Sequence, residues 1–444
     1  MKNLSYKQAL EYVYKRIPTS AAKKFPGQLG LARMAYVLEQ LGSPQEKYKT
    51  IHVAGTSGKG SCVTLASATL SSQGIKTGVT LSPHIVEIRE RCQINGKPIS
   101  KDKFAKYLSQ ITPIIEAVDK SLYGRVTYFE TLTALAFYSF WKEGIKVAII
   151  EAGLGGTFDA TNVIKRKDKM AIISRVGLDH TAILGNTLSS IAAHKAGIIQ
   201  MKNRVVTVDQ AKDVINQIKS QCKKMKAGLV VLSPKREYRV LSVNRRGTQV
   251  EVNLPTTKLL LTLGLIGAYQ AENFAPALQA ALFILSDLKR KLNKAKLIIA
   301  LKQISFPGRF EVKNINSRPV VFDGAHNAQK MEMFVSSLTK VFIGKKFTFL
   351  LAFKHDKDVP SMLKYIIPHA KKIIITTFCV EGQDFLQTST PPQKVGLLLK
   401  GLSFNSLEVV NDPKQAFLQL IKEKDPVVTG SFYLISQIYN LGIV

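Results

Sequence analysis

This 444-residue chain is poor in acidic residues: 31 Asp and Glu stand against 63 Lys and Arg, and the formal net charge is +32. Such an excess of positive charge attracts anions in general, nucleic acid among them. The basic residues are nevertheless spread along the chain, without interleaved aromatic residues and without a recognisable nucleic-acid-binding motif. We therefore expect a solvated basic surface whose field favours anionic ligands, and we expect no nucleic-acid partner.

Cysteine is also rare. The four cysteines, at positions 62, 92, 222 and 379, form no C-x-x-C pair. Their scatter argues against a disulfide framework and against a zinc cluster.

Long apolar segments are missing as well. Runs such as KLIIAL and FTFLLAF are too short to span a bilayer, which takes about 20 apolar residues. The N-terminal residues have helical spacing rather than the continuous apolar segment of a signal peptide. Because 45% of the residues are hydrophobic, the chain can still build substantial cores. We expect a globular, cytoplasmic protein with no membrane partner.

A glycine-rich segment between an apolar strand and a helix-compatible run is the strongest local signal. It consists of Gly55, Thr56, Ser57, Gly58, Lys59, Gly60 and Ser61. Glycines let successive backbone N–H groups approach an anion, and a helix N-terminus adds partial positive charge. Lys59 would reach the β and γ phosphates, and Ser61 would offer a hydroxyl to phosphate or Mg²⁺. We predict a phosphate-binding loop; the alternative is a strand-to-helix turn with a solvated lysine, because Val53 and Gly60 depart from the general P-loop pattern.

The rest of the chain alternates strands with helices, which indicates an α/β fold. Helices are predicted over 29–42, 103–117, 130–142, 269–285 and 289–301. Strands of a mostly parallel sheet are predicted over 76–81, 146–152, 170–176, 204–208 and 229–232. The alternating pattern of 238–263 predicts a small antiparallel ribbon. A second strand-helix series has its strands at 319–322, 347–352, 372–377, 407–410 and 426–429, so we predict two domains, 1–303 and 304–444.

Nine motifs stand in one order along the chain. They are GTSGKGS at Gly55, LSPHI at Leu81, TYFE at Thr127, EAGLGGTFDATNV at Glu151, GLDH at Gly177, KAGII at Lys195, AENFAPAL at Ala271, PGRFE at Pro307 and DGAHN at Asp323. Their order and spacing resemble the folylpolyglutamate synthase / dihydrofolate synthase family of the Mur ligase superfamily. The resemblance runs from about residue 29 to GSFYLIS at Gly430. It implies a P-loop-type ATPase domain followed by a smaller Rossmann-like α/β domain, ATP and Mg²⁺ as cofactors, and a monomer.

The resemblance also implies a magnesium site. Glu151 follows a buried strand, where α/β sheets place ligands, and by similarity it binds Mg²⁺ together with Ser82, while His180 holds a second Mg²⁺. Each residue has a plainer alternative. Ser82 can be a turn former before Pro83, His180 a capping neighbour of Asp179, and Glu151 a salt-bridge partner.

Lys195 resembles the lysine that this superfamily carbamylates, which would turn a cation into a carboxylate suited to a magnesium site. The alternative is a lysine that complements the dipole at the end of a helix. The family usually has an acidic residue before this lysine, and this chain has His194.

Further residues resemble the family's nucleotide contacts. They are Asn273 from the first domain, and Arg309 and Asp323 from the linker and the second domain. Arg309 can fork onto phosphate oxygens. His326, three residues after Asp323, is a third candidate catalytic residue beside Lys59 and Lys195.

Three segments match those that surround the pteroate moiety in the family. They are Leu29, Gly30 and Leu31; Thr127, Tyr128, Phe129 and Glu130; and Phe158, Asp159 and Ala160. Departures from the family occur at Gln28, where an acidic residue is frequent, at Ser57, which replaces Asn, and at Thr157, which replaces Arg.

These features predict an ATP-dependent ligase that adds L-glutamate to dihydropteroate, to folates, or to both, through an acyl phosphate. Another Mur-type amide ligase is one alternative. Cell-wall Mur ligases place a UDP-sugar domain ahead of the phosphate loop, however, and here that loop begins at Gly55. A basic P-loop protein that binds nucleotide or nucleic acid is the other alternative.

Overall fold

The computed structural model describes residues 4–18, 27–254, 257–380 and 387–444. The chain divides into two compact units. The first comprises Met1–Arg239, Val252–Leu259 and Glu272–Leu301, and the second comprises Val240–Glu251, Leu260–Ala271 and Lys302–Val444. The last crossing, at residue 302, lies beside the predicted boundary at 303, while most of the predicted ribbon groups with the second unit.

The sheet of the first unit has eight strands. They are β1 (Lys49–Ala54), β2 (Thr77–Thr80), β3 (Gln93–Ile94), β4 (Lys97–Pro98), β5 (Val147–Glu151), β6 (Met170–Ile173), β7 (Arg204–Val208) and β8 (Gly228–Leu232). Their order is β4-β3-β2-β5-β1-β6-β7-β8, and β2, β5, β1, β6, β7 and β8 run parallel. The short hairpin of β3 and β4 adds an antiparallel edge. The predicted parallel sheet is confirmed; the edge hairpin was not predicted, because two-residue strands in a polar segment leave no periodic signal.

The helices that precede residue 303 agree with most of the predicted ones. They are α1 (Tyr6–Tyr14), α2 (Gln28–Gln40), α3 (Lys59–Ser72), α4 (Lys101–Asp119), α5 (Tyr128–Lys142), α6 (Thr181–Leu184), α7 (Leu188–Ala196), α8 (Lys212–Lys224), α9 (Tyr269–Asp287) and α10 (Lys294–Lys302). Helix α10 begins five residues later than predicted, after the basic run at 289–291. No helix among the described residues is long and apolar enough to cross a bilayer.

The central strands are buried on both faces, as near-continuous apolar strands of parallel sheets are. All five residues of β5 and all four of β6 are buried. Ala148 and Ile150 of β5 pack into a core with residues of α2, α4 and α5. Ala171 and Ile173 of β6 pack into another core, with residues of α7 and α8. The sheet is therefore a middle layer between helices, and the loops of the candidate active site follow the carboxyl ends of its strands.

A three-stranded sheet follows the first series of elements. Its strands are β9 (Tyr238–Asn244), β10 (Gly247–Leu254) and β11 (Thr257–Leu263), in the order β11-β10-β9. Arg245 and Arg246 form the two-residue turn between β9 and β10, and the backbone N–H of Arg246 donates to Asn244 Oδ1 over 2.8 Å. The predicted ribbon is confirmed.

The second unit has its own α/β sheet, in the order β12-β13-β19-β14-β15-β18. Its strands are β12 (Glu311–Ile315), β13 (Arg318–Phe322), β14 (Phe347–Leu351), β15 (Ala370–Ile375), β18 (Leu407–Val409) and β19 (Pro426–Thr429), and β16 (Cys379–Val380) pairs separately with β17 (Gln387–Thr388). Its helices are α11 (Ala328–Val341), α12 (Val359–Ile366), α13 (Pro392–Gly401), α14 (Pro413–Leu420) and α15 (Phe432–Tyr439). Within the six-stranded sheet all pairs are parallel except β12 with β13, and the separate pair of β16 and β17 is antiparallel. The predicted second series is therefore confirmed, with one antiparallel edge strand added to its sheet.

Candidate active site

The glycine-rich loop lies where the sequence predicted it, between β1 and α3. Gly55 has a φ of +152°, and a Cβ at this position would overlap Ser174 Oγ. Gly58 has a φ of +87°, and a Cβ there would overlap Asn273 Oδ1. Both positions therefore require glycine, for steric reasons at each and also for the left-handed backbone at Gly58. The contact at Gly58 brings the predicted nucleotide residue Asn273 to the loop.

The segment after β6 holds this loop in place. The N–H groups of Thr56 and Ser57 donate to the carbonyl of Arg175 over 2.9 and 3.0 Å. Ser174 Oγ donates to the carbonyl of Ser57 over 2.8 Å. Thr56 Oγ1 donates to the carbonyl of Gly177 over 3.0 Å. Because β1 and β6 are neighbours in the sheet, the loop is fastened to a rigid support.

Helix α3 begins at Lys59, directly after the loop. Its N-cap residue is Gly58, which has no side chain to bond the first N–H groups of the helix. Those groups and the positive end of the helix dipole are the features that bind phosphate at helix N-termini. Ser61, in the first turn, is buried. The structure therefore shows the strand, the glycine-rich loop and the helix N-terminus in the predicted order, and phosphate binding by this loop stays a prediction.

Three charged side chains converge behind the loop. Lys59 Nζ donates to the carbonyl of Gly55 over 3.2 Å and lies 3.9 Å from Glu151 Oε1. Lys195 Nζ donates to the same carbonyl over 2.9 Å, and only 4% of Lys195 is exposed. Glu151 is 6% exposed. Two cations and one carboxylate thus share a site that is largely removed from water.

Glu151 is the last residue of β5 and faces the Ser82 segment. The backbone N–H of Ser82 donates to Glu151 Oε2 over 3.1 Å. The backbone N–H of Glu151 donates to Thr80 Oγ1 over 3.2 Å. Glu151 and Ser82 also line a small recess that is partly open to solvent. The other residues that line this recess are Thr80, Leu81, Arg91, Phe129, Leu132, Thr133 and Thr161.

His180 is placed differently from the other two predicted metal ligands. It is exposed, has a φ of +52°, and precedes α6. Its backbone N–H donates to Asp179 Oδ1 over 3.0 Å, which fits the capping alternative. Within the described ranges, no three His, Cys, Asp or Glu side chains form a group that could hold a metal ion. The structure therefore brings Ser82 and Glu151 together and does not gather His180 into such a group.

The three segments predicted to surround the pteroate moiety meet at one core. Tyr128 and Ala160 are buried in it, and Leu31 and Phe129 pack against it. Leu29 and Phe158 are the exposed members, at 48% and 47%. Gly30 lies on α2, and Thr127 is the N-cap of α5.

Glu130 has a partner that the sequence did not reveal. Its two carboxylate oxygens accept from Nε and Nη2 of Arg33 over 3.0 and 2.9 Å. Glu130 Oε2 also accepts from the N–H of Thr127, which completes a capping box at the start of α5. The carboxylate therefore ties α2 to α5, so two of the segments predicted to surround the pteroate moiety are joined by an ion pair.

Asp159 is likewise engaged within the protein. Its Oδ1 accepts from the N–H and the hydroxyl of Thr161 over 3.0 and 2.5 Å. Its Oδ2 accepts from the N–H of Leu154 over 2.7 Å. Burial raises the pKa of Asp159, and these hydrogen bonds oppose the rise. The carboxylate organises the loop that follows Glu151.

In the second unit, Arg309 and His326 lie beside the Phe432 ring. The Arg309 guanidinium lies 4.2 Å from the centroid of the Phe432 ring, and the His326 ring lies 5.7 Å from it. His326 Nδ1 is 2.7 Å from the carbonyl of Gly324, and Nε2 is 2.8 Å from Lys330 Nζ. Since an ammonium can only donate, Nε2 accepts and Nδ1 carries the proton.

Asp323 is buried beneath this group. Its oxygens accept from the N–H groups of Phe310 and Ala325, each over 2.8 Å. Burial raises its pKa to about 6, against the opposing effects of Arg309, these hydrogen bonds and Lys330. A carboxyl group with this pKa changes charge near neutral pH.

Several residues that shape the site were not predicted. Ser174 and Arg175 support the loop, and Arg175 forms a 2.6 Å ion pair with Glu272. Arg91 is buried, lines the recess and donates from Nε to His84 Nδ1 over 3.0 Å. A usable signal existed for Ser174 and Arg175, because they directly follow a buried parallel strand.

Comparison with known proteins identifies the family of this chain. Residues 53–281 match the family model of the Mur ligase middle domain, and residues 308–441 match that of the dihydrofolate synthetase C-terminal domain. The probable dihydrofolate synthetase of Schizosaccharomyces pombe is 34% identical over 94% of this chain and 98% of its own length. The dihydrofolate synthase/folylpolyglutamate synthase of Bacillus subtilis is 30% identical over 98% of each.

Solved structures give the same result. The Thermotoga maritima folylpolyglutamate synthase is 28% identical, with a TM-score of 0.82 over 98% of this chain and 96% of that one. The Mycobacterium tuberculosis folylpolyglutamate synthase complexed with ADP is 25% identical, with a TM-score of 0.86 over 98% of each. The chain therefore belongs to the dihydrofolate synthase / folylpolyglutamate synthase family of ATP-dependent ligases.

Proposed function

We propose that this chain joins L-glutamate to dihydropteroate, and also extends folates with glutamate, through an acyl phosphate. The γ-phosphorus of ATP is attacked by a carboxylate oxygen of the acceptor, and ADP leaves. The glutamate amine then attacks the acyl carbon, the bond from that carbon to the phosphate oxygen breaks, inorganic phosphate leaves, and the amine loses a proton. Dividing the reaction in this way replaces a poor leaving group by a good one.

One observation carries the proposal: Glu151 and Lys59 lie 3.9 Å apart, beside both the phosphate loop and the recess. Phosphoryl transfer is catalysed mainly by positioning and by stabilisation of negative charge. Lys59 carries the charge that stabilises the transferred phosphoryl group. Glu151 stands where the phosphate loop meets the segments predicted to surround the acceptor.

The residues present fit Mg²⁺. This ion prefers oxygen ligands and is held by one or two carboxylates together with substrate phosphates and waters. Glu151 offers a buried carboxylate, and Ser82 and Ser61 offer hydroxyl groups. When bound, Mg²⁺ neutralises charge on the phosphate oxygens. A carbamylated Lys195 would add a second carboxylate, and the place of His180 in binding stays a prediction.

Support for dihydropteroate as an acceptor comes from the second unit, since the family model that matches residues 308–441 is that of dihydrofolate synthetase. The three acceptor segments meet at one core beside Phe129, which lines the recess. The nucleotide contacts are assigned to Asn273, Arg309 and Asp323, and His326 is assigned a part in the transfer to glutamate.

The test measures ADP release from purified protein with ATP, Mg²⁺ and L-glutamate, with dihydropteroate or tetrahydrofolate as the acceptor. We expect ADP release with both, and dependence on glutamate and on the acceptor. Removal of Mg²⁺ by a chelator should abolish it. ADP release with neither acceptor would overturn the proposal, and release with one alone would restrict the activity to that acceptor.

Lys59→Ala removes the cation that the proposed mechanism needs. Loss of one charge that stabilises a transition state costs about 10²- to 10³-fold in kcat. Lys219→Ala, which changes an exposed lysine of α8, is the matched control and should retain wild-type turnover. Wild-type turnover by Lys59→Ala would contradict the assignment.

A further inference from the structure

A buried histidine on the central strand takes no part in the mechanism above. His52 lies on β1, three residues before Gly55, and is 0% exposed. Its Nε2 lies 2.8 Å from Thr161 Oγ1, and Thr161 Oγ1 lies 2.5 Å from Asp159 Oδ1. His52, Thr161 and Asp159 thus form a continuous hydrogen-bonded chain, although residue 52 and residue 161 are 109 positions apart.

The direction of this chain follows from its members. The hydroxyl of Thr161 has one hydrogen, and it donates this hydrogen to the Asp159 carboxylate. The hydroxyl oxygen must therefore accept from His52, so Nε2 carries the imidazole proton. Nδ1 of His52 is buried without a hydrogen-bond partner, which a neutral acceptor tolerates better than a charged donor. Burial and the nearby Lys169 lower the pKa of His52 well below its usual value, so the ring stays neutral.

The Asp159 end of this hydrogen-bonded chain contacts the backbone that follows Glu151. Asp159 Oδ2 accepts from the N–H of Leu154 and thereby closes the loop from Gly153 to Asp159. A Cβ on Gly153 would lie 2.6 Å from the Phe129 ring and 3.2 Å from Asp159 Oδ2. Gly153 is therefore held between the Asp159 carboxylate and the aromatic ring.

The same side chains border the recess. Thr161 and Phe129 line it together with Glu151, two residues before Gly153. A shift of Asp159 would move the loop, release the Phe129 ring and change the wall that faces the acceptor. The nucleotide loop has separate supports, from Ser174 and the carbonyl of Arg175.

We propose that His52 and Thr161 are positioning residues for the acceptor: through Thr161, His52 holds Asp159 so that the loop of residues 153–159 and the Phe129 ring keep the shape of the acceptor recess. This inference rests on the proposed function, because it assumes that the recess takes the acceptor. It gives His52 and Thr161 a role through Asp159 and no direct contact with the reacting atoms.

The test compares Thr161→Val, which removes the hydroxyl and keeps the shape, with Thr161→Ser, which keeps the hydroxyl. Loss of a buried hydrogen bond to a charged group is expected to raise KM for dihydropteroate roughly tenfold in Thr161→Val. The KM for ATP should change less than about twofold, because the nucleotide loop keeps its own supports. Thr161→Ser, which keeps the hydroxyl, should have a KM for dihydropteroate close to the wild-type value. His52→Leu should act like Thr161→Val, and His52→Gln, whose amide can donate to Thr161, should be milder.

A structural readout runs beside the kinetics. Hydrogen exchange at the Leu154 amide should be at least about tenfold faster in Thr161→Val than in Thr161→Ser, since Asp159 would no longer be held. If His52→Leu does not fold, the two Thr161 variants still decide the matter.

Distinct outcomes separate the two proposals. If the wild-type protein turns over neither dihydropteroate nor tetrahydrofolate, the proposed function fails, and the Leu154 exchange still shows whether the hydrogen-bonded chain of His52, Thr161 and Asp159 orders the loop. If the wild-type protein is active and Thr161→Val leaves KM for dihydropteroate unchanged, the inference is overturned and the function stands. Equal increases of both KM values would also overturn it, because they would indicate a general structural role.

Discussion

Replacing Glu130 by Gln tests how the two helices beside the recess are held together. The Arg33 and Glu130 side chains are 6% and 4% exposed, and two hydrogen bonds join them. Gln keeps the shape of Glu and an oxygen that can accept from the N–H of Thr127. The change therefore removes the negative charge and leaves the guanidinium of Arg33 buried, with the carbonyl of Tyr123 as a remaining acceptor at 2.9 Å.

The magnitude follows from burial. Removing one partner of a buried ion pair costs about 3–5 kcal/mol, because the remaining charge stays desolvated. An exposed pair contributes about 0–1 kcal/mol. The ion pair of Lys103 with Glu143 is the control, since Lys103 is 50% exposed. We expect Glu130→Gln to lower the free energy of unfolding of the first unit by about 3–5 kcal/mol, and Lys103→Met by less than about 1 kcal/mol.

The assay is urea unfolding followed by tryptophan fluorescence. The chain has one tryptophan, Trp141, and it lies on α5 together with Glu130. The double variant Arg33→Met with Glu130→Gln should recover much of the loss, because no unpaired charge remains. A loss below about 1 kcal/mol for Glu130→Gln, or a double variant less stable than it, would refute the reasoning.

Three further predictions concern the loop, the second unit and Lys195. Gly55→Ala should weaken ATP affinity at least about tenfold by calorimetry, because its Cβ would overlap Ser174, whereas Gly228→Ala, with no atom within 4 Å, should not. Because the pKa of Asp323 is raised to about 6, the stability that its protonated form contributes is fully present below pH ~4 and is lost as the pH rises through 6. In thermal unfolding, the wild-type protein should lose up to about 3 kcal/mol of stability relative to Asp323→Asn between these two pH values. A difference between the two proteins that does not change with pH would contradict this. If Lys195 is carbamylated, depletion of CO₂ should lower turnover and bicarbonate should restore it. Insensitivity to both would favour an unmodified lysine whose ammonium donates to the carbonyl of Gly55.

Sequence alone located the elements whose signal is local. The loop GTSGKGS could be predicted because glycines permit a backbone that other residues would block. In the structure, a Cβ at Gly55 or at Gly58 would overlap a neighbouring side chain. Glu151 could be predicted because parallel strands bring their carboxyl ends, and the residues there, to one edge of a sheet. The α/β order could be read from apolar strands that alternate with helices.

Only the tertiary structure decided which distant side chains meet. Arg33 and Glu130 are 97 positions apart, and His52 and Thr161 are 109 apart, so no local pattern pairs them. The assignment of Glu130 and Asp159 to the acceptor site stays a prediction, and only the structure shows that their carboxylates also accept hydrogen bonds from Arg33, Thr127, Thr161 and Leu154. Periodicity and motifs report the backbone conformation of neighbouring residues, while the partner of a buried charge depends on how strands and helices pack.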